Sequence, residues 1–119
     1  YMDMRSSWKY SEKTTSKYRN KKVDYDGYTF DSLKECRRYK ELKILERTGT
    51  ITDLKVHYPY TLIEKSKHGR EIKYIADFVY VNGTETIVED VKSPVSKTPV
   101  YRLKKRLLAE RYGLEIKEV

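Results

Sequence analysis

A chain of 119 residues fits one compact domain and leaves no room for a separate cofactor module. Its charged fraction (37%) nearly equals its hydrophobic fraction (38%), and 26 Lys plus Arg against 18 Asp plus Glu give a net charge of +8, which points to a polyanionic partner, most simply nucleic acid. The single cysteine, Cys36, excludes an internal disulfide and a multi-thiolate zinc site and suits a reducing cytoplasm; no apolar run approaches the ~20 residues of a membrane helix, and the polar, basic start predicts no signal peptide.

Residues 1–22 carry Arg5, Lys9, Lys13, Lys17, Arg19, Lys21 and Lys22 against Asp3 and Glu12, with Trp8, Tyr10 and Tyr18 among the charges. No helical or strand period gathers an apolar face, so the segment reads as a basic, flexible arm that either tracks a phosphate backbone or merely solubilises the chain. The folded part is expected over 23–119. Val23–Tyr25 and Tyr28–Phe30 flank Asp26-Gly27, a two-residue hairpin signal. Ser32 and Glu35 form a capping box that opens a helix over 32–48, with Leu33, Cys36, Tyr39, Leu42, Ile44 and Leu45 as its apolar side and Gly49 as its stop. Cys36 on that stripe reads as core rather than as a nucleophile.

Residues 54–63 alternate as a strand, 65–70 form a basic turn, and 72–81 and 84–92 are two strands joined by Asn82-Gly83. Thr98 N-caps a second helix with Pro99 at its first position. Val100, Leu103, Leu107 and Leu108 form its expected stripe, Gly113 ends it, and Leu114, Ile116 and Val119 suggest a last short strand.

The chemistry concentrates in the central hairpin. With Asn82-Gly83 as a two-residue loop, Asp77 faces Val88 and Ile75 faces Asp90. Side chains alternate with period two, so Asp77, Asp90 and Lys92 share one face and Glu89 takes the other. Two acids and a lysine on one face suit a hard divalent cation that activates water and neutralises a scissile phosphate. An exposed salt-bridged strand face is the plainer reading, but the neighbouring Ile87, Val88 and Val91 place these charges near the core.

Asp77 followed by Asp90-Val91-Lys92 resembles the PD-(D/E)xK nuclease signature, with Ala76-Asp77 where Pro-Asp is usual. Val23–Gly27, Phe30–Glu35, Tyr74–Phe78, Val88–Lys92 and Tyr101–Lys105, in that order over about residues 20–119, resemble a phage-associated family of small proteins placed in that superfamily. The resemblance implies a restriction-endonuclease-like αβββαβ core, an α+β sandwich with a central mixed sheet between helices. It implies Mg²⁺ or Mn²⁺ at Asp77, Asp90 and the Val91 carbonyl, Glu35 completing the shell, and Lys92 orienting water or stabilising the transition state. The capping box alone also explains Glu35. His57 stands where relatives often carry glutamine, and reads otherwise as a lone surface histidine.

Lys21, Lys22, Arg70, Lys73, Arg102, Lys104, Lys105 and Arg106 are the expected nucleic-acid contacts, since separate clusters of one sign argue for a polyanion. Arg37 and Arg38 either pair with Glu41 or lie near the substrate path. The functional expectation is a metal-dependent DNA endonuclease without organic cofactor, acting on branched or duplex DNA in the cytoplasm, in line with a homodimer. The alternative is a catalytically inactive nucleic-acid-binding accessory protein of the same fold; an RNA-directed protein is a third reading.

Overall fold

The computed structural model describes residues 21–91 and 97–119, so most of the expected basic arm, and Lys92, lie outside the described residues. The chain divides into two compact units, one ending at Arg38 and the other running Tyr39–Val119.

The first unit holds a hairpin, β1 (Val23–Tyr25) with β2 (Tyr28–Phe30), and the start of helix α1 (Leu33–Arg47). Asp26 and Gly27 both take positive φ, 54° and 83°, so Tyr25 pairs with Tyr28 across a turn of the I′ kind. The helix start is capped with a variation. Ser32 Oγ accepts the Glu35 N–H at 3.1 Å, but Glu35 Oε1 accepts the Asp31 N–H at 2.8 Å, one residue upstream of the expected reciprocal bond. Glu35 and Cys36 are buried there, whereas Leu33, expected on the apolar stripe, is exposed.

The second unit is built on a four-stranded sheet in the order β3 (Thr52–Ile63), β4 (Ile72–Asn82), β5 (Glu85–Asp90) and β6 (Ile116–Glu118). The first two pairings are antiparallel and β5–β6 is parallel, so the sheet is mixed and helix α2 (Pro99–Tyr112) forms the crossover that a parallel pair needs. Helix, three strands, helix, strand is the expected order, and the result is an α+β sandwich.

Tyr39 of α1 stacks on Phe78 of β4, with centroids 6.4 Å apart, and Leu42, Ile51 and Tyr80 are buried as well. The other core joins Leu62, Tyr74, Ala76, Val79, Val88 and Ile116 of the sheet to Tyr101 and Leu108 of α2. Thr98 Oγ1 accepts the Tyr101 N–H and Gly113 closes the helix at φ 69°, both as expected. The α2 stripe is corrected: Val100 and Leu103 are about 60% exposed, and the helix instead presents Tyr101 and Leu108, two turns apart, with Leu107 half-buried. A tyrosine that reaches across to a carboxylate on the sheet sets the rotation, which hydropathy alone does not register. Ile44 on α1 is likewise exposed.

Candidate functional site

The hairpin that carries the candidate acids is set differently from the expectation. Asn82 pairs with Glu85, Val79 with Val88 and Phe78 with Glu89, so Gly83-Thr84, not Asn82-Gly83, is the two-residue loop. Gly83 at φ 68° is the only positive φ in that turn, as in a II′ turn, which needs glycine at the first loop position alone. Asp77 therefore does not face Val88, nor Ile75 Asp90. Moving the loop by one residue changes every pairing by two, which preserves the faces only where alternation is unbroken. One step beyond Phe78↔Glu89, the register sets Asp77 opposite Asp90.

Around Asp77 the regular alternation of β4 changes phase. Ala76 and Val79, three residues apart, both join the core under α2, while Phe78 between them stacks on Tyr39. In an undistorted strand, residues three apart point to opposite faces. On β3, His57 falls at the step between Val56↔Phe78 and Tyr58↔Ala76, opposite Asp77, and takes φ 53°. A left-handed residue other than glycine in mid-strand costs roughly 1–2 kcal/mol, and such positions concentrate at functional sites.

Asp77 is half-buried, and its Oδ2 accepts the Val91 N–H at 2.7 Å. Asp90 is buried, and its Oδ2 accepts the Tyr74 hydroxyl at 2.6 Å. Burial, then the hydrogen bond to Asp90, push the Tyr74 hydroxyl far above the usual phenol range. Burial and a bond to Glu118 do the same to Tyr101. The charges of both Asp77 and Asp90 contribute to raising each phenol, so the two carboxylates act on one small region of the sheet. Glu89 is fully buried and accepts from the Tyr80 hydroxyl, on the side of β5 opposite Asp90.

Among the described residues of the second unit, His57 and Asp77 have ligand atoms within 4.8 Å of one another, and Asp90, expected to share the ion with Asp77, is not in that cluster. His57, expected to be a lone surface histidine or a doubtful participant, thus belongs to the candidate site. Its signal was absent from composition and periodicity, because nothing in a histidine codon position announces positive φ. Tyr74 was also missed as a partner of Asp90. Its alternation with Ala76 ahead of Asp77 was visible, but the contact spans strands.

Residues 15–118 match the family described as "Protein of unknown function (DUF1064)". The chain belongs to the DUF1064 family. The DUF1064 match takes in every described element from β1 to β6, and Asp77, Asp90 and His57 with them. No curated protein and no solved structure matches the chain significantly.

The basic residues of this DUF1064 chain are less free than their sequence clusters suggest. Lys22 pairs with Asp31 at 3.0 Å, Lys73 with Glu71 at 3.7 Å, Lys105 with Glu118 at 3.2 Å and Arg106 with Glu110 at 3.7 Å. Ion pairs this exposed contribute about 0–1 kcal/mol each and give way readily to a phosphate. Arg102, Lys105 and Arg106 line a shallow cavity of about 360 Å³ with Ala109, Glu115 and Ile116. Lys21 and Arg70 are exposed, and Lys104 is half-buried on α2. Among the described residues, no helix is long and apolar enough to cross a membrane.

Proposed function

We propose that the chain is a divalent-metal-dependent endodeoxyribonuclease that hydrolyses phosphodiester bonds in branched or duplex DNA. The observation that carries this reading is the placement of Asp77 across the β4–β5 register from Asp90 and across the β3–β4 ladder from His57, with each carboxylate oriented by its own hydrogen bond. Two acids on facing strand positions repel a polyanion unless a cation lies near them, so a protein that only gripped DNA gains nothing from the arrangement.

The donor set fits a divalent ion. Asp77 supplies a hard oxygen ligand and His57 a neighbouring donor, the Val91 N–H fixes the orientation of the Asp77 carboxylate, and the resemblance to PD-(D/E)xK nucleases adds Asp90 and Glu35. Such an ion, when bound, acidifies a water and neutralises charge on the scissile phosphate. The protein's own contribution is positional: the Tyr74 hydroxyl holds the Asp90 carboxylate in a fixed rotamer, and the cationic cavity on α2 takes the flanking phosphates. The resemblance to PD-(D/E)xK nucleases assigns Lys92 to the attacking water or the developing charge.

The test is cleavage of supercoiled plasmid, linear duplex, four-way junction and RNA with Mg²⁺ or Mn²⁺, with a chelator as control. Asp77→Asn is expected to lower the rate by about a thousandfold or more while leaving the melting temperature close to that of the parent. Undiminished cleavage in Asp77→Asn removes the mechanism. Binding of DNA without cleavage under every divalent ion favours the accessory-protein reading.

A further inference from the structure

The position of His57 carries a second conclusion, which rests on the metal-site reading above. We propose that His57 is a direct metal ligand, so that the site prefers a first-row transition ion, such as Mn²⁺, over Mg²⁺.

His57 and Asp77 belong to adjacent strands of one sheet and occupy facing steps of the β3–β4 ladder. Their ligand atoms lie within 4.8 Å of one another, near enough for a small side-chain adjustment to bring both onto one ion. The backbone at His57 is held at φ 53°, a conformation in which the side chain leaves the direction that regular alternation assigns it. The same step of the ladder is where β4 changes phase, between Ala76 and Val79. Histidine sits half-buried there rather than out in solvent. Two strands therefore depart from regularity at one rung, and the two side chains on that rung are an imidazole and a carboxylate.

The chemistry of that pair decides the ion. Mg²⁺ seeks oxygen, insists on near-ideal octahedral geometry and keeps its waters. A neutral imidazole nitrogen is a poor exchange for one of those waters, whereas ions along the first transition row accept nitrogen with increasing affinity. A mixed carboxylate–imidazole set thus discriminates against Mg²⁺ in a way that an all-carboxylate set does not.

The experiment uses Mn²⁺ itself as the probe, on the full chain without DNA. Free Mn²⁺ is followed by electron paramagnetic resonance to obtain the dissociation constant, Mg²⁺ is added in competition, and bound Mn²⁺ is examined by electron spin-echo modulation for a coupled nitrogen. Parent and His68→Gln are expected to show imidazole nitrogen modulation, and His57→Gln to lose it. The Mn²⁺ dissociation constant should rise about tenfold in His57→Gln, a loss of one ligand, with the Mg²⁺ constant moving less than about threefold. His57→Asn guards against misfolding, because asparagine tolerates positive φ, and is expected to lose the modulation too. Bound Mn²⁺ without nitrogen modulation, or modulation that survives both His57 variants, overturns the assignment of His57 while leaving a carboxylate site in place. No Mn²⁺ bound by the parent, and no effect of Asp77→Asn, overturns the metal reading as well.

Discussion

Asp90 and Glu118 are neighbours on the β5–β6 ladder, and each accepts a tyrosine hydroxyl at almost the same distance: Tyr74 at 2.6 Å for Asp90 and Tyr101 at 2.7 Å for Glu118. Glu118 also takes Lys97 at 3.0 Å and Lys105 at 3.2 Å. The Tyr101 hydrogen bond, followed by that from Lys97, holds its carboxyl down at about 2. Two ammonium groups cancel the charge of Glu118 and tie the start of α2 and its face to the last strand. The Tyr74 hydroxyl orients Asp90 without cancelling its charge, because a neutral donor moves no net charge into the site. The β5–β6 ladder therefore carries one acid that ties α2 to the last strand and one acid set across the β4–β5 register from Asp77.

The sharpest way to break this comparison is by activity. Asp90→Asn is expected to lower metal-dependent DNA cleavage by about a thousandfold, and Glu118→Gln by less than about threefold, in the same plasmid assay. Equal losses from both erase the distinction. A smaller effect comes from the two hydroxyls. Tyr74→Phe removes a hydroxyl donor from a buried carboxylate and should cost about 1–3 kcal/mol in urea unfolding, whereas Tyr101→Phe should cost no more than about 1 kcal/mol because the lysines remain on Glu118.

The smallest effect is in the pH dependence of stability. The Glu118 carboxyl titrates near 2 in the folded chain against an ordinary value of 4.5. A depressed folded value means that its contribution is whole above about pH 4.5 and is lost as the pH falls toward 2. Parent minus Glu118→Gln stability, measured by urea titration at successive pH values, should shrink across that window by no more than about 1 kcal/mol, since these lysines face water. A difference that stays constant down to pH 2 contradicts the pairing.

Much of the architecture was legible in the residues themselves. Asp26-Gly27, Thr98-Pro99 and Gly113 act through local backbone chemistry, and each does in the fold what that chemistry requires. Cys36, Tyr39 and Leu42 are buried as helical spacing asks. The errors share a cause. Hydropathy alone assigns the wrong face of α2, where a tyrosine bonded to Glu118 is buried and the aliphatic Val100 and Leu103 are exposed. The hairpin loop was placed on Asn82-Gly83, the strongest two-residue signal, yet Gly83-Thr84 satisfies the same strand twist with one positive φ instead of two.

Sequence by itself determined the element order and the nomination of Asp77 and Asp90, because period and turn chemistry are short-range properties that survive in any context, whereas the mixed sheet and a metal role for Glu35 were expected from the family resemblance alone. Only the tertiary structure decided that β4 changes phase at Asp77, that His57 stands across from it in a left-handed conformation, and that Tyr74 steadies Asp90. Those facts depend on which strands lie side by side and on strain that packing on both faces of the sheet can sustain, and neither quantity resides in any one stretch of chain.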